Sequence, residues 1–188
     1  MSSDYLANPV SFLIETLSGL YILTFMLRFL LGAVRADFYN PVSQFLVKVT
    51  DPLLKPLRRV IPAIGKFDTS AWVVMLLLQF AALALTGLVQ GIPMSGGWLL
   101  MRSIAALLEL LLNIYLFAIL IQVILSWIGP AGYNPVVSIL FSLTEPILAP
   151  CRRLLPPISG LDLSPILALV GIQLVKMLVL PPLLGAIG

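Results

Sequence analysis

The stretch YNPVSQFLVKVTDPLLKPLRRVIP, residues 39–62, recurs 94 residues later as YNPVVSILFSLTEPILAPCRRLLP, residues 133–156. Both copies contain Tyr-Asn-Pro, then Thr with an acidic residue and Pro, then a further Pro and an Arg-Arg pair at the same spacing. The same offset of 94 also places Glu15 over Glu109, outside these stretches. Chance does not produce so many polar and proline matches at one offset. The sequence therefore predicts two copies of one structural unit.

The rest of the chain is strongly apolar. Of its 188 residues, 60% are apolar and 10% are charged, whereas a soluble domain carries about 25% charged residues. Four apolar runs reach the roughly 20 residues that a helix needs to cross about 30 Å of hydrocarbon. They lie at residues 10–34, 71–90, 99–128 and 165–186. The sequence therefore predicts four transmembrane helices.

The duplication divides these spans equally. Residues 1–94 are the first repeat and residues 95–188 are the second, with two spans each. Because each unit crosses the membrane an even number of times, both copies insert the same way round, as parallel repeats do. The predicted fold class is an all-α membrane protein with four transmembrane helices in two parallel two-span repeats. Each repeat is predicted to carry a cytoplasmic amphipathic helical hairpin, at residues 39–68 and 133–162.

Basic residues are concentrated between the two spans of each repeat. The connecting segments contain Arg35, Lys48, Lys55, Arg58, Arg59, Lys66, Arg152 and Arg153. The N-terminal tail, the link at residues 91–98 and the C-terminal tail contain no Lys or Arg. Because short loops rich in Lys and Arg stay in the cytoplasm, both termini are predicted on the outer side.

The first helix of each hairpin has a sequence signal for its start. Asn40 followed by Pro41 is typical of an N-cap with proline in the first turn, and Asn134 with Pro135 repeats the pair. The apolar face predicted for the first copy consists of Val42, Phe45, Leu46 and Val49, with Ser43, Gln44, Lys48 and Thr50 elsewhere. A helix of about ten residues is too short to span, so it should lie at the membrane interface or pack on the bundle.

A second short helix is predicted to begin at Asp51 and Pro52. An acidic residue suits the positive N-terminal end of a helix, and proline suits its first turn. Pro56 is expected to bend or break this helix. The second copy repeats these residues as Glu145, Pro146 and Pro150.

Each hairpin ends at an aspartate just before the next span, Asp68 in the first repeat and Asp162 in the second. Ser70 and Ser164 follow them and are predicted to cap the spans.

The repeated motif resembles that of the YggT family of small bacterial membrane proteins, which has relatives in cyanobacteria and plastids. The matching elements are Tyr-Asn-Pro, Thr-Asp/Glu-Pro, Pro, Arg-Arg, Pro and Asp, and the resemblance covers nearly the whole chain. It implies a multi-pass protein of the bacterial inner membrane without a known catalytic activity. Relatives are linked to haem attachment in plastids, cell division, nucleoid distribution and tolerance of osmotic stress, so the resemblance implies location more firmly than function.

The arginine pairs, Arg58-Arg59 and Arg152-Arg153, leave two interpretations open. They are candidates for docking to an anionic lipid headgroup or to an acidic patch on a partner, since each basic residue near an anionic surface contributes about 1 kcal/mol. Alternatively, they set the topology and pair locally with the acidic residues of the hairpins. Those residues are Asp51, Asp68, Glu145 and Asp162.

Four polar residues within the spans match across the repeats: Glu15 with Glu109, and Gln79 with Gln173. An ionisable residue in a span is a functional candidate, and a symmetric acidic pair could line a cation or proton path. The alternative is structural, with the glutamates at interface level and the glutamines, together with Asn113 and Gln122, bonding between helices.

Two cations lie inside spans. Arg28 is expected to extend towards the inner side, where Arg35 lies. Lys176 is near mid-membrane, and either Glu15 or Glu109 is its expected partner.

The residues that most enzymes need are scarce. The chain has no histidine and one cysteine, Cys151, and no nucleophile–base pair, phosphate loop or metal-ligand spacing is evident. We therefore expect no enzyme and no cofactor. The basic residues are too sparse for a nucleic-acid surface.

The leading hypothesis is a scaffold or assembly factor for other membrane components, docking through the duplicated Arg-Arg hairpins. The alternative is a small oligomeric channel or transporter linked to osmotic or ion stress. The expected partners are membrane lipids, anionic ones among them, and either another membrane protein or a second copy of this chain.

Overall fold

The computed structural model describes residues 3–59, 61, 68–128, 134–155 and 162–185. Within these ranges the chain forms six helices and no strand. In chain order they are α1 (Ser3–Ala33), α2 (Pro41–Arg58), α3 (Thr69–Gln90), α4 (Gly96–Ile128), α5 (Pro135–Leu154) and α6 (Ser164–Gly185). The prediction of an all-helical protein is confirmed for this part of the chain.

Four of these helices, α1, α3, α4 and α6, are long and apolar enough to cross a membrane. Between 17% and 28% of the most apolar window of each helix is buried inside the protein. The remaining surface must face an apolar solvent, because apolar side chains exposed on this scale are unfavourable in water. The four helices are thus compatible with a multi-pass membrane protein.

The bounds of the long helices follow the prediction with one clear difference. α1 begins at Ser3 rather than near residue 10, and it runs through Pro9. Pro9 lies on the exposed surface two turns from the helix start, where a lost backbone hydrogen bond disturbs the packing little. The last residue predicted for the fourth span, 186, lies outside the described residues.

Equivalent helices of the two repeats make equivalent contacts. α1 packs on α3 and α2 in the first repeat, as α4 packs on α6 and α5 in the second, and α3 packs on α4 between the repeats. The cores also correspond: Phe25 and Leu54 are fully buried in the first repeat, and Ile119 and Leu148 occupy the positions 94 residues later and are equally buried. The two copies therefore share one packing scheme.

α2 and α5 correct the predicted hairpins. Each is a single continuous helix, so the predicted restarts at Asp51-Pro52 and Glu145-Pro146 are wrong. Of the two effects expected of Pro56 and Pro150, a bend or a break, the break does not occur. Most of the segment that would return to the next span lies outside the described residues, at 60, 62–67 and 156–161.

The helix tolerates these prolines because of where they lie. An interior proline deprives the carbonyl four residues earlier of its donor, and in α2 the carbonyls concerned belong to Lys48 and Pro52. Lys48, Pro52 and Pro56 are all exposed, and α5 repeats the arrangement with Pro146 and Pro150 on its exposed side. The unpaired carbonyls can therefore be satisfied outside the protein.

The predicted helix starts are confirmed, and the predicted apolar face packs on the bundle only in part. Asn40 and Asn134 each accept a hydrogen bond from the backbone N–H two residues later, at 2.9 Å in both cases. The buried residues of α2 are Ser43, Leu46, Thr50 and Leu54. Phe45, which belongs to the predicted apolar face, is 60% exposed. Thr50 can be buried because its hydroxyl donates to the carbonyl of Leu46 at 2.6 Å.

Asn40 has a second role that joins the repeats. Its side chain is 2% exposed, and its amide nitrogen donates to the backbone carbonyl of Pro135 at 2.7 Å. Asn134 is exposed and makes no such cross-repeat bond within the described ranges.

We predict that Asn40→Ala lowers the free energy of unfolding more than Asn134→Ala does. Each substitution removes an N-cap worth about 1 kcal/mol, and Asn40→Ala also removes a buried hydrogen bond worth about 1 kcal/mol. The measurement is reversible unfolding of the purified variants in mild detergent. Asn40→Ser, which keeps a cap acceptor but is too short to reach the Pro135 carbonyl, should fall between the wild type and Asn40→Ala. Equal losses for the two alanine variants would contradict a link between the repeats through Asn40.

Candidate functional site

A part-buried ion pair connects α1 to α2. The Nη1 atom of Arg28 lies 2.8 Å from Oδ1 of Asp51, and it also donates to Oγ1 of Thr50 at 2.6 Å and to the carbonyl of Val47 at 3.3 Å. The side chains of Arg28 and Asp51 are 13% and 18% exposed. A charge removed from water is stable only if it is paired and hydrogen-bonded. Arg28 therefore extends towards α2 at the end of α1 where Arg35 lies, as expected. It forms an ion pair with Asp51 there instead of reaching solvent.

Lys55 completes this cluster. Its Nζ lies 2.9 Å from Oδ2 of Asp51, one helical turn away on α2. The Lys55 ammonium and the Arg28 guanidinium both lower the pKa of Asp51. Together they outweigh burial, which acts to raise it. Asp51 is therefore ionised at neutral pH, and it neutralises the charge that α1 carries.

The second repeat replaces this ion pair with neutral groups. At the offset of 94, Gln122 stands at the position of Arg28 and Thr144 at that of Thr50. The Thr144 hydroxyl donates to Oε1 of Gln122, and both residues are buried. Ala149 stands at the position of Lys55. Glu145, the counterpart of Asp51, is thus left without these two cations.

The first arginine of each pair is held by carboxylates within the protein. Arg58 pairs with Asp68. Arg152 pairs with Glu145 at 3.0 Å and with Asp162 at 3.1 Å. The local pairing considered for these arginines therefore occurs at the first position of each pair.

The second arginine of each pair has a different environment. Arg59 and Arg153 are exposed. Neither makes an ion pair or a side-chain hydrogen bond with any residue that the structure describes. Each repeat thus pairs one arginine with a carboxylate of its own chain and leaves the next one on the surface without an ion pair among the described residues.

Carboxylates, not the predicted serines, cap the spans that follow. Oδ1 of Asp68 accepts from the Ala71 N–H at 3.4 Å, and Ser70 donates its hydroxyl to Asp68 instead of capping α3. Asp162 accepts from the backbone N–H of Ser164 at 2.9 Å. A carboxylate is favoured here because its charge suits the positive end of the helix dipole. Burial raises the pKa of Asp68, but the hydrogen bonds from Arg58 and Ser70 outweigh that effect and lower it.

The polar residues of the four long helices differ in exposure and in their partners, and they do not gather at one place. Lys176 donates to Oδ1 of Asn113 at 2.7 Å, and its Nζ lies 3.9 Å from Oε1 of Glu109. The predicted ion pair with Glu109 is therefore formed, and the alternative partner, Glu15, is exposed elsewhere on α1. Gln173 is also exposed.

Gln79 is half-buried, and like Glu15 and Gln173 it makes no side-chain hydrogen bond to a described residue.

The sequence predicted that Gln122 and Asn113 bond between helices, which is confirmed, but it did not identify their partners, and it did not predict the contact of Thr50 with Arg28. A usable signal was present for Thr50 and Gln122. Thr precedes the acidic residue in both copies, and the offset of 94 aligns a polar residue, Arg28 or Gln122, near the end of the preceding span. No pattern in the sequence indicated that Asn113 would contact Lys176, because that contact depends on how α4 and α6 are rotated.

We predict that Asp68→Asn makes stability less dependent on acid pH. Because the pKa of Asp68 is lowered in the folded protein, its contribution is present above the pKa of the unfolded chain and is lost as the pH falls through the folded value. Asparagine keeps the cap acceptor and loses the charge, so the variant should be less stable at neutral pH by about 1 kcal/mol or less. Thermal unfolding as a function of pH is the measurement, and an acid dependence identical to the wild type would contradict the assignment.

The comparisons with known proteins agree with the repeated architecture. A family model described as CCB3/YggT matches residues 7–89 and again 101–183. Both bounds of the second match lie 94 residues after those of the first, which confirms the internal repeat.

Several proteins are similar over most of this chain. An uncharacterized protein of Pseudomonas aeruginosa is 45% identical over 179 residues, covering 94% of this chain and 91% of that protein. The uncharacterized protein YggT of Escherichia coli K12 is 39% identical over 174 residues, covering 90% and 88%. The chloroplastic YlmG homolog protein 2 of Arabidopsis thaliana is 42% identical over 57 residues, 30% of this chain and 22% of that protein. No solved structure matches. By the extent of the family match and of these identities, the chain belongs to the CCB3/YggT family.

Proposed function

We propose that this protein is a non-catalytic scaffold or assembly factor of the bacterial inner membrane. In this proposal it docks to another membrane protein, or to a second copy of itself, through Arg59 and Arg153. The proposal rests on the different environments of the two arginines in each pair. Arg58 and Arg152 are paired with carboxylates, whereas Arg59 and Arg153 are exposed beside them.

The paired arginines give the exposed ones a defined position. Arg58 ties the end of α2 to Asp68, which caps α3, and Arg152 ties the end of α5 to Asp162 just before α6. The end of each helix is fixed because an ion pair ties it to the segment that begins the next helix. An arginine at such an end therefore loses less conformational entropy on binding than an arginine on a free loop. Exposed charges at such positions favour recognition of an acidic partner surface and fast association with it.

The proposed orientation places both arginines on the cytoplasmic side. It rests on the basic residues between the spans of each repeat, since such loops are retained inside. Parallel repeats would then present Arg59 and Arg153 on the same side of the membrane, with both termini outside. The contact of α2 with α5, and the bond from Asn40 to Pro135, support a common surface formed by the two helices.

The channel or transporter hypothesis has less support from the described residues. Lys176 is engaged with Asn113 and Glu109, whereas Glu15 and Gln173 are exposed on other parts of the surface. A conducting path needs polar groups that line one axis. The proposal of no catalytic activity rests on the sequence, which has no histidine and no evident nucleophile–base pair.

We predict that Arg59→Gln with Arg153→Gln weakens capture of a membrane partner by about tenfold, since charges at the rim of an interface contribute modestly to affinity. The measurement is crosslinking in native membranes followed by quantitative mass spectrometry. Lys48→Gln is the matched control, because Lys48 is exposed on α2 and is also free of described ion pairs.

Topology reporters must show that the double variant keeps its orientation, which the remaining basic residues should secure. Unchanged crosslinks in the double variant, or equal losses in Lys48→Gln, would exclude docking through these two arginines.

A further inference from the structure

A cavity of about 380 Å³ opens where the C-terminal end of α1 meets α2. Its polar wall is formed by Arg28, Arg35, Ser43, Arg58 and Asp68. Three arginines and one aspartate thus contribute to its wall. The cavity lies apart from Arg59 and Arg153, neither of which lines it.

The three cations of the cavity differ in whether their charge is compensated. Arg28 is paired with Asp51, and Arg58 with Asp68. Arg35 is exposed and makes no ion pair with a described residue. The nearest acidic residue in sequence, Asp37, accepts a hydrogen bond from the Tyr39 N–H at 2.9 Å. Arg35 therefore leaves a positive charge at the cavity that an anion would compensate.

Ser43 supplies a second, independent indication of a ligand. It is 8% exposed, and its hydroxyl is buried without a hydrogen-bond partner among the described residues. Buried polar groups in folded proteins are nearly always hydrogen-bonded, and an exception calls for a missing partner. Because Ser43 lines the cavity, an oxygen of a bound group would satisfy its hydroxyl.

The backbone of Arg35 adopts a conformation that is unusual for any residue other than glycine. Its φ is 54°, in the left-handed region, and the N–H of Ala36 bonds to the carbonyl of Leu31 at 2.9 Å. These features define a helix C-terminal motif in which glycine is strongly preferred at the left-handed position. An arginine kept there is strained, and strain of this kind is concentrated at functional sites.

The second repeat shows which cavity residues the fold itself requires. At the offset of 94, Arg58 and Asp68 are matched by Arg152 and Asp162, so this ion pair belongs to the shared frame. Of the other three polar residues, Arg28 corresponds to an uncharged polar residue, Gln122, whereas Arg35 and Ser43 correspond to Gly129 and Val137. The cation and the hydroxyl that lack partners are therefore particular to the first repeat.

The rest of the wall is apolar and lies near one end of α1. Phe29, Leu46 and Phe38 line the cavity, and the part of α1 that could span a membrane ends at Ala33, beside it. That part has 28 residues, more than the roughly 20 that the hydrocarbon requires, so its end lies at headgroup level when α1 crosses a membrane. An apolar wall next to uncompensated positive charge suits an anion that is attached to an apolar molecule.

We propose that this cavity binds the phosphodiester headgroup of an anionic membrane phospholipid. Arg35 donates to the phosphate oxygens as a charge-assisted partner, and Ser43 donates its hydroxyl to the same group. Phe29 and Leu46 contact the adjoining apolar part of the lipid. The site does not depend on docking through Arg59 and Arg153, and either proposal can fail alone.

The test measures lipid binding to the purified full-length chain in detergent by native mass spectrometry. The probes are dioleoylphosphatidylglycerol, which is anionic, and dioleoylphosphatidylcholine, which is not. Arg35→Gln is expected to weaken phosphatidylglycerol binding about fivefold, the effect of one basic residue near an anionic group. Lys48→Gln, which removes one positive charge from an exposed position of α2 outside the cavity, should change it less than about twofold.

Arg35→Gly and Ser43→Val separate loss of binding from loss of structure, because each introduces the residue found in the second repeat. Arg35→Gly should weaken phosphatidylglycerol binding as Arg35→Gln does, while its Tm stays the same or rises, since glycine relieves the left-handed strain. Ser43→Val should also weaken binding. Wild-type affinity in both Arg35 variants, or equal binding of the two lipids by the wild type, would overturn the proposal.

Inorganic phosphate distinguishes a lipid from a free anion. The expected result is that millimolar phosphate leaves bound phosphatidylglycerol in place, because free phosphate gains nothing from the apolar wall. Saturable binding of inorganic phosphate that depends on Arg35, together with displacement of the lipid, would overturn the assignment to a phospholipid.

Discussion

The guanidinium of Arg28, carried inside a membrane-spanning helix, is the charge around which the first repeat is arranged. Such a group must be neutralised where it lies, because an unpaired charge away from water is strongly unfavourable. Asp51 meets this requirement at 2.8 Å, and Thr50 adds a hydrogen bond at 2.6 Å. Both partners come from α2, so the position of α2 along α1 follows from the position of Arg28. The neighbouring pair of Arg58 with Asp68, and the cavity between α1 and α2, depend on the same placement.

The second repeat shows that the frame can be built without this charge. Gln122 and Thr144 replace the ion pair with a hydrogen bond between buried neutral groups. Glu145 is then free to bind Arg152, which it does at 3.0 Å in addition to the bond from Arg152 to Asp162. The duplication has therefore kept the geometry and changed the electrostatics. The residues that both repeats share account for the common fold. The residues that occur in only one repeat are the better candidates for a specific function.

Much of the architecture could be predicted from the sequence because it depends on local or repeated features. The offset of 94 is visible in polar and proline matches, and the N-caps at Asn40 and Asn134 follow from residue chemistry alone. The predicted restarts at interior prolines were wrong because the cost of a proline depends on whether the carbonyl it leaves unpaired is exposed. That property is set by packing and is absent from the local sequence.

The candidate site was predicted less completely for a related reason. The sequence identified both arginine pairs and the acidic residues near them, but it could not distinguish Arg58, which is held by Asp68, from Arg59, which is not. The two differ by one position on a helix, hence by about 100° in direction. The rotation of α2 decides between them, and that rotation is fixed by contacts with α1 that lie 22 residues away in sequence, as between Arg28 and Thr50.

The most direct test is a double-mutant cycle for Arg28 and Asp51. Arg28→Gln, Asp51→Asn and the double variant are compared with the wild type by reversible unfolding in bilayers or mild detergent. Gln122 shows that glutamine fits the equivalent position of the fold. If the ion pair organises the first repeat, Asp51→Asn destabilises by about 3 kcal/mol, because it leaves the largely buried guanidinium of Arg28 without an ion pair. Arg28→Gln destabilises less, because Asp51 keeps its ion pair with Lys55. The double variant should then recover about 2 kcal/mol of the summed losses. Losses that add to within about 0.5 kcal/mol would show that Arg28 and Asp51 act independently, and would contradict the account.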